Sequence, residues 1–375
     1  MVNGHERLKY MPSVFAVGDE YQIFSVFDGP AIVKVRVGGE EFYDDFCGIL
    51  RSNVNIHYVK IPMSVLDAAG EYTLVYQEIV DRKPYFPVTK EECSLTVKFR
   101  PVRGKDIKIY LMSDTHNLVE SPIQAGSYFG NDIDLLVLAG DIPNHSGEIE
   151  NLETIYELAG AITRGECPAI FARGNHDTRG LHAEELPLYT PVDGGKTYFT
   201  FRLGPVWGLV LDCGEDKLDS HPEYGGTICF HNFRLGETKF LEKVAKDREY
   251  DADGIEYKLV ICHAPFTYVN ENPLFAIEQE LYAEWAKILR DKIKPDLMLC
   301  GHLHKLEISP VGGERDHLGQ PCPVIISGCP KNIKKLPEQG KCGYTGCALT
   351  LSEHRARVIF NNDEGEIKRD EIIEL

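Results

Sequence analysis

The 375-residue sequence predicts a layered α/β domain preceded by a small all-β domain. Three observations carry this expectation. From residue 105 onward, apolar strand-like runs alternate with helical stretches, the pattern of a sheet covered by helices. Before residue 102 the runs are short, β-branched and aromatic, with partial period-two alternation. The polar stretch Pro101-Val102-Arg103-Gly104-Lys105-Asp106 separates the two textures and sets the expected division, 1–102 and 103–375.

In the first part, Tyr21–Phe27, Ala31–Val37, Asn55–Ile61, Tyr72–Tyr76 and Ser94–Phe99 read as strands, and Gly38-Gly39 is a hairpin signal. Strands at this spacing suggest a small sandwich. No cluster of Asp, His or Glu here carries chemistry, so the region reads as a packing or positioning module. In the second part the runs are Ile107–Met112, Leu135–Ala139, Ala169–Ala172, Tyr198–Phe201, Val206–Leu211, Leu259–Cys262, Leu297–Cys300 and Val324–Ile326. Glu148–Thr163 places Ile149, Leu152, Ile155, Tyr156, Ala159 and Ile162 on one helical face, and Ala276–Lys292 does the same with Ile277, Leu281, Trp285, Ile288 and Leu289. These stripes read as core.

Composition narrows the class. Hydrophobic residues at 43% and charged residues at 26% exclude a disordered or low-complexity chain. No run reaches the ~18–20 apolar residues of a membrane span, and the first residues lack a secretory apolar core. The expectation is a cytoplasmic protein with no membrane partner. Net charge is −18, of which residues 1–100 carry −3 and the remainder −15. A strongly acidic surface repels phosphate polymers, which disfavours nucleic acid as a partner. The 11 cysteines read as reduced thiols. Cys262 and Cys300 sit in apolar runs as small hydrophobes. Cys322, Cys329, Cys342 and Cys347 cluster, but lack the paired spacing of a zinc ribbon.

The chemistry lies at the strand ends. The first run of the second part ends in Ser113-Asp114-Thr115-His116, the next in Gly140-Asp141, and the third in Arg173-Gly174-Asn175-His176-Asp177. Two later runs end in His263 and in Gly301-His302-Leu303-His304. Five strands thus deliver carboxylates, imidazoles and an amide to the C-terminal edge, where open α/β sheets bind ligands. Gly140, Gly174 and Gly301 are expected to let the chain turn sharply before the ligands. The donor set suits borderline divalent metals such as Mn²⁺, Zn²⁺ or Fe. Seven candidates are too many for one ordinary site and suit two metals ~3.5–4 Å apart.

Asp114-x-His116, Gly140-Asp141, Gly174-Asn175-His176-Asp177, His263 and Gly301-His302-x-His304 together resemble the calcineurin-like metallophosphoesterase superfamily over roughly residues 105–330. The resemblance implies a four-layer α/β/β/α metallophosphoesterase sandwich and a two-metal phosphoester hydrolase. By it, Asp114, His116 and His304 hold one metal, Asn175, His263 and His302 the other, and Asp141 bridges. His176 is left to stabilise phosphate charge or protonate the leaving oxygen, with Asp177 orienting and charging it. The small immunoglobulin/fibronectin-like β domain ahead of the catalytic domain resembles the purple acid phosphatase layout. That branch carries a Tyr three residues after the bridging Asp, where this chain has Asn144, so a ferric-tyrosinate site is not expected. The Asp-Arg-Gly of protein Ser/Thr phosphatases is replaced by Ile142-Pro143-Asn144-His145-Ser146.

The resulting expectation is a dinuclear hydrolase of small phosphomonoesters, in which two cations acidify a shared water. A phosphodiesterase acting on cyclic nucleotides or related diesters is the rival, since the ligand set is the same and the rim loops decide. A protein-binding scaffold is the non-enzymatic rival, with ligand loss as its signature. His145, Arg179, His182, His221, Tyr224 and His231 are expected in loops overhanging the site. Arg173 is open to a phosphate or an acidic neighbour. His5, His57, His317 and His354 read as surface or packing residues.

Overall fold

The computed structural model describes residues 2–331 and 343–375. Its largest sheet has, in order, Ile367–Glu374, Arg355–Asn362, Tyr344–Ser352, Ile107–Met112, Leu135–Ala139, Pro168–Ala172, Ser13–Val17, Glu20–Val26 and Ile56–Pro62. Its four central strands, from Ile107–Met112 to Ser13–Val17, run parallel. A second sheet is ordered Phe199–Leu203, Val206–Leu211, Tyr257–Cys262, Leu297–Cys300, Val324–Ile326 and Glu307–Ser309, again with four parallel strands in the middle.

The two sheets pack face to face. Ile109, Leu111, Val137 and Ala172 of the first share one buried cluster with Val210, Ile261 and Leu299 of the second. Alternate residues point outward because side chains switch face at every strand position. Tyr110, Leu136 and Leu138 therefore pack under the helix Ile149–Thr163, against Leu152, Ile155, Tyr156 and Ala159. Leu209, Val260 and Met298 pack under the helices Phe230–Asp247 and Gln279–Ile288. Strands covered on both faces must be apolar throughout, which is why they read as unbroken runs. The order of layers is α/β/β/α. Trp285 is fully buried, and its indole N–H donates to Thr238 Oγ1 at 2.8 Å, so the one polar atom of this core side chain is satisfied.

The N-terminal region is strand-rich. Cys93–Lys98, Glu71–Arg82, Ala31–Val37 and Glu40–Tyr43 form a third sheet. Gly38 and Gly39, both at positive φ, make a two-residue turn into Glu40–Tyr43, a strand the sequence reading did not assign. Val33, Val35 and Leu74 of this sheet share a core with Ala16, Ile23 and Ile61. The sandwich's other face is the edge of the large sheet itself: Ser13–Val17 pairs in parallel with Pro168–Ala172, so backbone hydrogen bonding crosses the 102/103 division.

Other elements also escaped the sequence reading, among them one helix and two strands near the C-terminus. The helix Phe230–Asp247 buries Arg234, Glu237 and Thr238 beside Phe230, Leu241 and Val244, so polar residues interrupt its apolar stripe. The strands Arg355–Asn362 and Ile367–Glu374 lie toward or at the sheet edge and carry charges on their exposed faces. The helix expected from Ala276 begins at Gln279. Cys262 and Cys300 are buried; Cys322 packs outside the second sheet and Cys347 between the sheets. Cys342 lies outside the described residues. Among the described residues, no helix is long and apolar enough to cross a membrane.

Candidate metal centre

The C-terminal ends of five parallel strands, three from the first sheet and two from the second, meet at one edge of the sandwich. Three glycines permit this crowding. A Cβ on Gly140 (φ +86°) would lie 2.7 Å from Gly174 Cα and from His263 Nδ1, and one on Gly174 would lie 2.3 Å from Asp141 Oδ1. Only Gly140 of the three expected turn glycines has a left-handed φ. Gly174 and Gly301 are required instead by close approach; a Cβ on Gly301 would meet Ser113 Oγ at 2.1 Å.

Three groups of donor atoms, each within 4.8 Å, converge here: Asp114, His116 and His304; Asp141, His263 and His302; and His116, Asp141 and His176. His304 Nε2 is 3.2 Å from Asp114 Oδ1 and 3.2 Å from His116 Nε2. His302 Nδ1 is 3.0 Å from Asn175 Oδ1. His263 donates Nδ1–H to the Ala139 carbonyl at 2.7 Å, which fixes its tautomer and turns Nε2 inward, 3.2 Å from Asp141 Oδ2.

Two observations test whether these residues fit a metal. The buried His116 Nδ1 and His263 Nε2 have no hydrogen-bond partner, a cost that coordination would remove for an inward-facing nitrogen. Asp114, His116, Asp141, His302 and His304 all have φ between +46° and +69°. Each such non-glycine residue costs of order 1 kcal/mol, and this strain gathers at functional sites. The oxygen and imidazole donor set suits Mn, Fe or Zn. The residues fit.

Electrostatics agree. Burial alone would discharge His263, but the Asp141 charge outweighs it and pushes the imidazole up to about 10. Burial also works against the Asp141 carboxylate, yet His263, His176 and His116 together hold its carboxyl below the ordinary range. His116 is pushed down to about 4 by burial, against the pull of Asp141 and Asp114. Protons and cations therefore compete for the same groups.

His176 and Asp177 depart from the expected pairing. The Asp177 Oδ2 accepts from the backbone N–H of Gly174 at 2.6 Å and of Asp141 at 3.2 Å, while Oδ1 has no partner. Burial, with the Asp141 charge adding to it, raises the Asp177 carboxyl well above its usual range. Asp177 thus ties two ligand loops together and makes no hydrogen bond to the His176 ring. That ring donates Nδ1–H to the Asn144 carbonyl at 2.8 Å and meets Arg179 Nη1 through Nε2 at 3.3 Å. It lies 4.6 Å from the His116 ring.

Sequence reading missed the supports. The one proton of the Ser113 hydroxyl is within reach of both Asp114 Oδ2 and the Ser327 carbonyl, and Tyr344 OH donates to Ser113 O at 2.7 Å. Asn117 Oδ1 accepts from Asn144 N at 3.0 Å. Glu215 grips Arg179 through two hydrogen bonds of 2.7 Å and also accepts from Tyr224 OH at 2.9 Å. These contacts join residues distant in sequence and leave no local pattern. Arg173 pairs with buried Asp212 at 2.7 Å rather than facing the donor groups. His182 and His231 pair with Glu185 and Glu278, and His145 accepts from Gly147 N. His221 Nδ1 accepts from Glu223 N, and His57 is buried against Asp44.

Two predictions arise from these supports. Glu215 is buried, so Arg179→Ala leaves a carboxylate without its cation; stability falls by about 3 kcal/mol in denaturant titration. Behind Arg173, Glu237 accepts from Asp212 N at 2.8 Å, and its Oε2 has no partner. Burial, reinforced by Asp212, raises its carboxyl well above the ordinary range. A raised acid in the folded state favours folding below the unfolded value near ~4.3 and loses that contribution as pH rises. Glu237→Gln keeps the acceptor and removes the titration. Its melting temperature relative to wild type is therefore higher at pH 8 than at pH 5; an equal difference at both would show that Glu237 is ionised throughout.

Comparison with known proteins agrees with the geometry. The calcineurin-like phosphoesterase family profile matches residues 107–306. No curated protein matches the chain. Among solved structures, it is similar to purple acid phosphatase PPD1 from yellow lupin (Lupinus luteus) seeds, at 13% identity and TM-score 0.62, over 97% of this chain and 74% of that one. It is also similar to PhoD, at 10% identity and TM-score 0.52, over 98% and 90%. Those likenesses speak to the fold. The profile spans more than half of the sequence, including Asp114, Asp141, Asn175 and the three later histidines, and with it the chain belongs to the calcineurin-like phosphoesterase family, the metal-dependent phosphoester hydrolases.

Proposed function

We propose that the protein hydrolyses small phosphomonoesters with two divalent cations, Mn, Fe or Zn. Asp114, His116 and His304 hold one, Asn175, His263 and His302 the other, and Asp141 both. The observation that carries this reading is the membership of Asp141 in two donor groups, one with His116 and His176, the other with His263 and His302. A carboxylate common to two groups is what a bridged pair needs.

When bound, such cations supply positive charge for phosphate oxygens and acidify a water. The chain does the rest. Asn144 and Arg179 orient the His176 ring, which neutralises phosphate charge or delivers a proton to the leaving oxygen. Asp177 pins the Gly174 turn against the Asp141 strand end, so the ligands are placed before substrate arrives. Residues 1–102 serve as a positioning module, since the donor groups all lie in 103–375. Six buried thiols among the described residues support a cytoplasmic, reducing location. The −18 charge favours a small substrate over a polyanion.

The test is elemental analysis of purified protein, followed by a nitrophenyl monoester and its bis ester with the metal found. Two metals per chain and faster turnover of the monoester are expected; faster turnover of the bis ester would make the protein a phosphodiesterase.

A further inference from the structure

Two concavities adjoin the metal centre, and they differ in chemistry. The larger is lined by Arg173, Arg179, Glu184, Glu215 and Glu223 among others, and none of the seven proposed ligands contributes to it. The smaller is bordered by Asn175 and His302 themselves. An ester's alcohol lies one bond from its phosphorus, so a cleft that shares ligands with the centre is where the alcohol of a bound ester reaches.

The walls of the smaller cleft are mostly apolar. Phe266, Tyr268, Ile277, Leu303 and Leu318 come from four chain segments. Ile277, Leu303 and Leu318 are only half-buried, so apolar surface is left facing water in a concave wall, and a ring that covers it is favoured at roughly 25 cal/mol per Å². The wall's two carboxylates are Glu215, already gripped by Arg179, and Asp216, which accepts from Lys217 Nζ at 2.9 Å. Among the described residues no Lys or Arg lines the cleft itself, and the neighbouring cations, Arg179 and Lys217, are engaged by these two carboxylates. An alcohol bearing an extra negative charge would meet carboxylates there, and cations already paired with them.

Resting on the phosphomonoesterase reading, we propose that this cleft is the leaving-group subsite and that it selects phosphate esters of uncharged, ring-bearing alcohols over small polar or anionic ones. Ile277 and Leu318 are its specificity-determining residues.

The test uses the full chain loaded with its metals and three alkyl esters whose leaving groups have similar basicity: 3-phenylpropyl phosphate, propyl phosphate and 4-phosphonooxybutanoate. The expected kcat/KM for the phenylpropyl ester exceeds that for the propyl ester by about 10-fold or more, the discrimination apolar pockets give, and the carboxylate-bearing ester is the poorest. Binding of 3-phenylpropanol alone is followed by calorimetry, with and without metals. Ile277→Trp fills the cleft, so the phenylpropyl-to-propyl ratio collapses toward one and heat of 3-phenylpropanol binding is lost. Leu318→Trp, from a separate segment, gives the same result if Ile277→Trp does not fold. Equal turnover of phenylpropyl and propyl esters, with no binding of the alcohol, would overturn the subsite and leave the phosphatase standing. Binding of the alcohol that Ile277→Trp abolishes, with no ester turned over, would retain the cleft as a ring-binding site and overturn the phosphatase.

Discussion

Asp141→Asn loses bound metal and nearly all activity. Asp141 is buried, with Oδ2 3.2 Å from His263 Nε2 and Oδ1 accepting the His176 backbone N–H at 2.8 Å. Asparagine keeps the volume, so the strand end keeps its packing, but the charge common to both donor groups is gone. Metal-charge stabilisation contributes several kcal/mol to such reactions, and each 1.36 kcal/mol is tenfold in rate, so kcat/KM falls by about 10³-fold or more. Elemental analysis of the folded variant is expected to give well below two metals per chain. Two tightly retained metals would remove Asp141 from the bridging position.

His176→Ala lowers kcat by about 10²–10⁴-fold, the usual contribution of a general acid–base group, with both metals retained. The loss is smaller on a nitrophenyl ester, whose phenolate leaves without much protonation, and larger on an alkyl ester. The surroundings of the ring sharpen this expectation. Nδ1–H is committed to the Asn144 carbonyl and Nε2 faces Arg179, so a proton on Nε2 requires the guanidinium to yield. Equal losses on the two esters would therefore mean that His176, with Arg179, acts only as a charge on the phosphate. Loss of metal would make His176 a ligand, the role its grouping with His116 and Asp141 permits.

Much of the α/β framework was legible because its strands are buried on both faces. Ile107–Met112, Leu135–Ala139 and Leu297–Cys300 are unbroken apolar runs, each closed by a polar block that no buried strand could contain. The blocks Asp114-x-His116, Gly140-Asp141 and Gly301-His302-x-His304 were visible for the same reason. The helix Phe230–Asp247 was not, because Arg234 and Glu237 turn inward to meet Cys213 O and Asp212 N, so its buried face is partly polar. Ser13–Val17 was not, because its partner Pro168–Ala172 lies 154 residues away in the chain and a short apolar run does not announce a parallel neighbour.

The sequence by itself determined which residues lie at the strand ends, since the C-terminal edge follows from alternating apolar runs and helices. Asn144 in place of tyrosine was likewise a matter of sequence alone. Only the tertiary structure decided how those residues are aimed. Asp177 stands next to His176 in the chain, yet the turn after Gly174 sends its carboxylate to the Gly174 and Asp141 amides, and His176 is oriented by a carbonyl and a guanidinium. Adjacent residues in a tight turn point in different directions, so sequence neighbours are not site neighbours. The direction of each side chain is set by backbone dihedrals, such as the left-handed φ of Asp114, Asp141 and His302, and the packing of the two sheets on each other, with hydrogen bonds between the strand-end loops, holds the chain in them.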